Sequence, residues 1–326
     1  MSYFRRLSRP TTLRALVPIS AVLVFCLPLV AEREGGAVAD VSPAAEETAA
    51  ESSAVSLSEV VVLGMVEGIT EYLPVSSTGH LILVQRAMNI ANSDAANSFV
   101  ICIQAGAIAA VLLLYFSRVS QVFRSFSSGD KNGQRIALCL VVAFLPAAVV
   151  GLCLDDFIES YLFGVKPIVA AWFLGGVLIL VVARWQKGRP SKSGCSVESM
   201  TWKMALVIGI AQTVAMWPGT SRSLMTIVGG VLVGLSLPAA VEFSFLLGMI
   251  TLGAATVYKG IEHGPVLVEA YGWVNLAVGF LTAAGSAAIA VKWMVNYLNK
   301  HGLEVFGYYR VGLSIVVGAL IIIGVI

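Results

Sequence analysis

Charge is what this sequence has least of. Only 12% of its 326 residues are charged, 58% are hydrophobic, and the mean hydropathy is +0.87. Soluble domains carry about 25% charged residues, so a water-soluble fold is excluded and the chain reads as an integral membrane protein. At about 20 apolar residues per helical span, its length leaves room for roughly six to eight spans. The formal net charge of +2 gives no basic surface for nucleic acid. CxxC spacing is also missing. The five cysteines (Cys26, Cys102, Cys139, Cys153, Cys195) stand apart, and three lie in apolar spans of the main body, where they read as packing residues rather than metal or disulfide ligands.

The chain opens with Arg5, Arg6, Arg9 and Arg14 ahead of an apolar run from Leu16 to Val30. This is the pattern of an export signal. Leu29 stands where a small residue is preferred before cleavage, so residues 1–31 are expected to be a signal peptide or an uncleaved N-terminal anchor. Residues 32–56 are acidic, rich in Ala and Ser and without aromatics, the composition of a disordered linker. The membrane-embedded domain is expected over 57–326.

Six apolar stretches in that domain are long enough to span: about 97–116, 136–154, 167–183, 237–258, 273–293 and 305–326. Two further regions are interrupted by polar turns, Leu57–Ala91 at "PVSST" and Met204–Leu235 at "WPGTSRS". Each half is short for a span, and the Pro and Gly at the turn predict re-entrant pairs of half-helices. Irregular backbone at that depth is tolerated only where it is buried in protein or lines a wet cavity.

Basic residues alternate along the loops. Arg118, Arg124, Lys131 and Arg135 follow the first span; Arg184, Lys187, Arg189, Lys192 and Lys203 follow the third; Lys292 and Lys300 follow the fifth. The other loops carry Asp155, Asp156, Glu159, Glu262 and Glu269. Lys/Arg excess marks the cytoplasmic side, which places the first broken region as entering from outside and the second from inside. The halves also echo each other: Gly64-x-x-Glu67 leads to Pro74-Val-Ser76-Ser77, and Gly209-x-x-Gln212 leads to Pro218-Gly-Thr220-Ser221. The fold class expected is an all-α polytopic membrane protein with an inverted-topology repeat. Each half, about 57–184 and 204–326, is one re-entrant pair plus three transmembrane helices. Such repeats place a site near the midplane, where half-helix N-termini converge.

The breaks hold the polar groups. An ionised side chain at mid-bilayer costs about 2.5–3.5 kcal/mol even on the insertion scale, yet "EGITEYLPVSSTGH" puts Glu67, Glu71, the hydroxyls of Ser76, Ser77 and Thr78, and His80 within one short stretch. After each break a new helix begins, and its N-terminus offers unpaired N–H groups and partial positive charge, a ready phosphate site. Ser76, Ser77, Thr78, Thr220, Ser221 and Ser223 are candidate phosphate ligands there. The first five also read as simple helix caps. Arg222 supplies a planar fork for phosphate oxygens or a structural ion pair with Glu67 or Glu71. Glu67 and Glu71, four apart on one helix face, do not both stay ionised unaided. Either one is protonated or a hard divalent cation, Mg²⁺ or Ca²⁺, bridges them. His80 is a candidate base, acid or nucleophile, or a satisfied core histidine. A cation, a polyanion and an apolar neighbourhood together suit a lipid bearing a diphosphate.

"EGITEYLPVSSTGH" with "PGTSRS" resembles the undecaprenyl-diphosphate phosphatase family, also called the bacitracin-resistance protein family, and weaker similarity runs through "FVICIQAGAIAAVLLLYF", "LPAAVVGL", "FSFLLG" and "YYRVGL". The resemblance implies hydrolysis of undecaprenyl diphosphate to undecaprenyl phosphate and phosphate at the outer face of the bacterial inner membrane. That reaction recycles the lipid carrier for peptidoglycan and other envelope polymers and confers bacitracin resistance. It further implies divalent-metal dependence, with Glu67 and Glu71 on the metal and His80, Ser77 and Arg222 at the reacting phosphate. The attacking group stays open among Ser77, His80 and water, and the oligomeric state between monomer and homodimer. Leu224 departs from the family's usual glycine after the Arg-Ser pair.

Two rivals stand beside this. A transporter or flippase of a phosphate-bearing lipid or anion would also use inverted repeats and broken helices. The lipid phosphatases with a PSGH motif are echoed by "SSTGH" and "TSR", but no histidine follows Arg222 until His263, and the paired glutamates have no role there.

Overall fold

The computed structural model describes residues 55–90, 94–187 and 193–324. The expected signal or anchor and nearly all of the linker lie outside them. Among the described residues the chain forms ten α-helices and one short 3₁₀ turn at Val197–Ser199, with no β-strand. In chain order the helices are α1 (Leu57–Thr70), α2 (Ser77–Ala87), α3 (Asp94–Leu114), α4 (Phe116–Ser128), α5 (Lys131–Leu162), α6 (Val165–Trp185), α7 (Trp202–Val214), α8 (Arg222–Leu232), α9 (Leu237–His301) and α10 (Glu304–Ile322).

Five segments are long and apolar enough to cross a membrane: Lys131–Leu154, Val165–Trp185, Leu237–Ile261, Leu267–His301 and Glu304–Ile322. A sixth apolar stretch is Ser98–Leu114 joined to α4 across a 73° bend. The six expected spans are thus present, but the basic stretch after the first of them is helical rather than a loop. α4 leaves Phe116, Phe123 and Phe126 exposed, while Arg118 at its start turns inward to Glu198 and Glu242.

α9 is two helical legs that reverse direction at Gly272, whose φ of 69° and ψ of 159° are not helical. α3 lies along both of its legs. Going up α3, Phe99 stacks on Tyr271 at 4.6 Å and Gly106 abuts Phe280 and Ala283, so one leg runs parallel. Along the other leg Gln104 meets Thr256, Tyr115 meets Phe245 and Arg118 meets Glu242, so that leg runs antiparallel. The start of α1 sits at the reversal, where Asn275 Nδ2 donates to the Val55 carbonyl at 3.3 Å. The start of α7 sits at the opposite end, beside the 3₁₀ turn that Arg118 and Arg135 hold through Glu198. Hydrogen bonding from Arg118 holds the Glu198 carboxyl down at about 2.

The two broken regions match in backbone. α1 and α7 begin 145 residues apart, and so do α2 and α8, which have the same length of 11 residues. The residue before each second helix, Ser76 or Ser221, has φ of 75° or 80°. This register pairs Glu67 with Gln212 and Ser76 with Ser221. It differs by one from the spacing of Pro74 and Pro218, because the second turn carries an extra residue.

Small residues let the first pair sit deep. Gly64 and Gly68 of α1 lie against the returning leg of α9, where a Cβ would fall 2.8 Å from the Gly279 carbonyl oxygen and 2.3 Å from that of Ala283. Close backbone contact of this kind replaces the hydrophobic effect as the association force between helices in lipid. Glu67 and Glu71 lie beside these glycines on the same side of α1, and Glu71 reaches the second break through Arg222.

Candidate active site

Two strained serines build the site. A non-glycine residue at φ near +75° costs of order 1–3 kcal/mol and persists only where its surroundings impose it. At the first break the constraint is His80, whose Nδ1–H donates to the Ser76 carbonyl at 2.6 Å. A carbonyl only accepts, so this contact fixes the tautomer. Nε2 then faces the Tyr309 hydroxyl at 2.7 Å, and in the neutral ring it accepts from it. The imidazole is stacked on Tyr309 with 7° between planes and leans on Trp172. Both ring nitrogens are therefore engaged by protein.

At the second break Ser221 caps α8, its Oγ accepting from Leu224 N–H at 3.3 Å. Ser223 donates to the Leu73 carbonyl at 2.8 Å, tying the second break to the first. Both have structural work, as the capping reading allowed for Ser221. Ser76 makes no side-chain cap bond. Thr220 is buried in the turn, where its N–H donates to Trp217, and Thr78 is half-buried on the first turn of α2. Leu224 is fully buried, so the side chain in place of glycine packs into the core.

Glu71 joins the halves. One carboxylate oxygen, Oε2, accepts from the Ser77 hydroxyl, and the other accepts from Arg222 Nη2 at 3.0 Å. Arg222 spends Nη1 on the Ser244 carbonyl at 3.1 Å and lies over the Tyr72 ring at 5.1 Å. Gly248 makes room for it, since a Cβ there would fall 2.1 Å from Nη1. Glu67 is 1% exposed and its Oε1 has no hydrogen-bond partner. The structure thus brings Glu71, Ser77 and Arg222 into direct contact and sets His80 in a separate network one turn further along α2.

Sequence reasoning missed the α10 pair Tyr309–Arg310. Arg310 is fully buried and donates only to backbone carbonyls: Gly219 at 2.8 Å, Ala171 at 2.9 Å, and Pro74 and Trp172 at 3.4 Å. It therefore pins one carbonyl from each break onto α6. Gly175 is required beside it, because a Cβ would sit 2.3 Å from Nη2. The available signal was an arginine in the middle of an apolar span, which lipid does not tolerate without a role.

The donor set suits a hard cation. Glu67 and Glu71 offer carboxylate oxygens, one of them unpartnered, with the Ser77 hydroxyl adjacent. Among the described residues no three His, Cys, Asp or Glu side chains cluster to form an all-protein cage. Two carboxylates completed by phosphate oxygens and water are how Mg²⁺ is usually held.

The family described as bacitracin resistance protein BacA matches the chain over residues 60–316. The chain is 45% identical over 260 residues to a protein of Sorangium cellulosum named undecaprenyl-diphosphatase, covering 79% of this chain and 84% of that one. It is 40% identical over 260 residues to undecaprenyl-diphosphatase 3 of Acinetobacter baylyi, covering 79% and 96%. A Nitrosomonas europaea undecaprenyl-diphosphatase is 41% identical over 263 residues, covering 80% and 93%.

Proposed function

The chain belongs to the bacitracin resistance protein BacA family, and from that premise we propose that it hydrolyses undecaprenyl diphosphate to undecaprenyl phosphate and inorganic phosphate. The observation that carries the chemical reading is Glu71, which holds the Ser77 hydroxyl from one break and the Arg222 guanidinium from the other. The transporter alternative has no support from the relatives, which are named for hydrolysis.

In the proposed mechanism Glu71 takes the Ser77 proton as Ser77 Oγ attacks the terminal phosphorus. The bond from that phosphorus to the bridging oxygen breaks, and undecaprenyl phosphate leaves. The Glu71 proton leaves with that product; water then cleaves the phosphoserine, Glu71 taking a proton from the water and passing it to Ser77 Oγ as phosphate is released. Phosphoryl transfer needs positioning and charge stabilisation more than covalent participation. Arg222 and the N-termini of α2 and α8 supply both to the equatorial oxygens, with Thr78 and Thr220 at their margins. His80 holds the Ser76 carbonyl and thereby the strained turn that presents Ser77. Mg²⁺ or Ca²⁺ held by Glu67 and Glu71 would neutralise charge on the diphosphate. The prenyl chain remains in lipid beside the cleft.

The reading extends to placement in the inner membrane with the site open to the periplasm, supported by the basic residues of α4, of the start of α5 and of the α6–α7 connection. It also includes inversion of the two repeats, supported by the opposite ends at which α1 and α7 begin. Phosphate release by purified protein supplied with undecaprenyl diphosphate tests the activity. An intact protein that binds the lipid but releases no phosphate, with or without Mg²⁺ and Ca²⁺, would overturn it.

A further inference from the structure

Charges also converge away from the breaks, at one end of the α6–α10 pair. These helices run antiparallel along a close seam, with Gly307 against Leu180 and Arg310 against Trp172. The end of α6 therefore lies beside the start of α10, and an open groove runs between them. Val177, Val181 and Arg184 line it as one stripe of α6, and Glu304 and Tyr308 as one stripe of α10. Lys187 stands at its mouth. Val177 and Val181 are exposed, as is Trp185 next to Arg184. Apolar exposure below an exposed tryptophan marks a membrane interface. Among the described residues, Arg184, Lys187 and Glu304 form no ion pair.

Each charge suits the helix end that carries it, a role that needs no groove. Their meeting at the head of an apolar trough is what that role leaves unexplained. The set is complementary to a zwitterion. Arg184 offers a planar fork for phosphate oxygens and Lys187 a second cation, while Glu304 offers acceptors for an ammonium. At about 210 Å³ the groove is smaller than the roughly 300–1,000 Å³ of a small-molecule pocket. It therefore takes a headgroup and leaves the acyl chains along Val177 and Val181. We infer that this groove binds a phospholipid with a phosphoethanolamine headgroup, its phosphate on Arg184 and Lys187 and its ammonium on Glu304. A glycerol headgroup leaves Glu304 without a counter-charge, and a quaternary ammonium has no N–H to donate to it.

The experiment titrates the full-length protein in detergent with dioleoyl phosphatidylethanolamine, phosphatidylcholine or phosphatidylglycerol, and measures bound lipid by native mass spectrometry. The ethanolamine lipid should bind about fivefold more tightly than either of the others, the scale of one charge contact at a lipid surface. Glu304→Gln should erase that preference. Arg184→Ala should weaken binding of the ethanolamine and glycerol lipids alike, since both present a phosphate. Melting in detergent alone checks that each variant is folded. Equal binding of the three lipids overturns the inference and leaves the charges to their helix ends, as does tightest binding of phosphatidylglycerol or phosphatidylcholine. A preference for ethanolamine that survives in Glu304→Gln places the lipid elsewhere and also overturns it. Should Glu304→Gln fail to fold, Arg184→Ala decides, and undiminished binding of the ethanolamine lipid there sinks the assignment.

Discussion

Arg222 Nη2 lies 3.0 Å from Glu71 Oε1, a pairing across 151 positions of sequence that closes the gap between the two broken helix pairs. The pair is nearly buried, with side chains 10% and 6% exposed. Removing one partner of such a pair leaves a charge uncompensated, at a cost of about 3–5 kcal/mol. Lysine keeps the charge and loses the planar fork. Arg222→Lys should therefore lower kcat by about 10²–10³ while Tm stays close to that of the unaltered protein. Arg222→Ala should lose both activity and thermal stability. Turnover and melting of the two variants measure this, and a stable, active Arg222→Ala protein contradicts both the catalytic and the structural role.

Glu71→Gln keeps shape but cannot take the Ser77 proton. It should insert and fold, yet lose activity by at least the 10²–10⁴ that general-base catalysis typically supplies. Chelation should abolish phosphate release in the unaltered protein, and Mg²⁺ or Ca²⁺ should restore it. Turnover of Glu71→Gln near normal would remove Glu71 from the mechanism. Activity indifferent to chelator would favour the protonated-carboxyl alternative.

His80 is tested by two amides. An asparagine nitrogen falls near the position of Nδ1 and a glutamine nitrogen near that of Nε2. If the contact to the Ser76 carbonyl is what matters, His80→Asn should retain at least tenfold more activity than His80→Gln, and a higher Tm. The reverse ranking in a phosphate-release assay would place the function of His80 at Nε2, on the Tyr309 side.

Cys195 reports orientation. It is exposed in the segment between α6 and α7, and its backbone is anchored to Gly234 and Ser236 ahead of α9. In intact cells it should be protected from an impermeant thiol reagent that has reached the periplasm, and it should react once the membrane is opened. Labelling before opening would turn the bundle over and place both breaks opposite to the assignment.

Much of this was legible because lipid makes polarity conspicuous. "PVSST" and "WPGTSRS" stand out between apolar runs, and the helices stop there. Glu71, Ser77 and Arg222 were visible as types that hydrocarbon excludes, and they do meet. The register of Glu67 with Gln212 was legible and matches the helices, and only the prolines slip by one, since proline marks a turn without fixing how many residues complete it. α4 was read as a loop from its charges, although Arg118 is neutralised by Glu198 and Glu242, neither of them near it in sequence. Arg310 escaped notice because its partners are carbonyls, which every residue owns and no pattern reveals. His80 looked catalytic by company, and only geometry shows which groups hold its two nitrogens.

The pairing of Glu71 with a residue 151 positions later also sets an order of events. At about 5–20 residues per second, the carboxylate precedes its guanidinium by roughly 8–30 s of synthesis. Pro74 waits longer still for Arg310, 236 positions on. During that interval the first pair has no counter-charge to receive it and no clamp for its break. A nascent or truncated chain is consequently inert, and competence to act begins only when the final helix has docked.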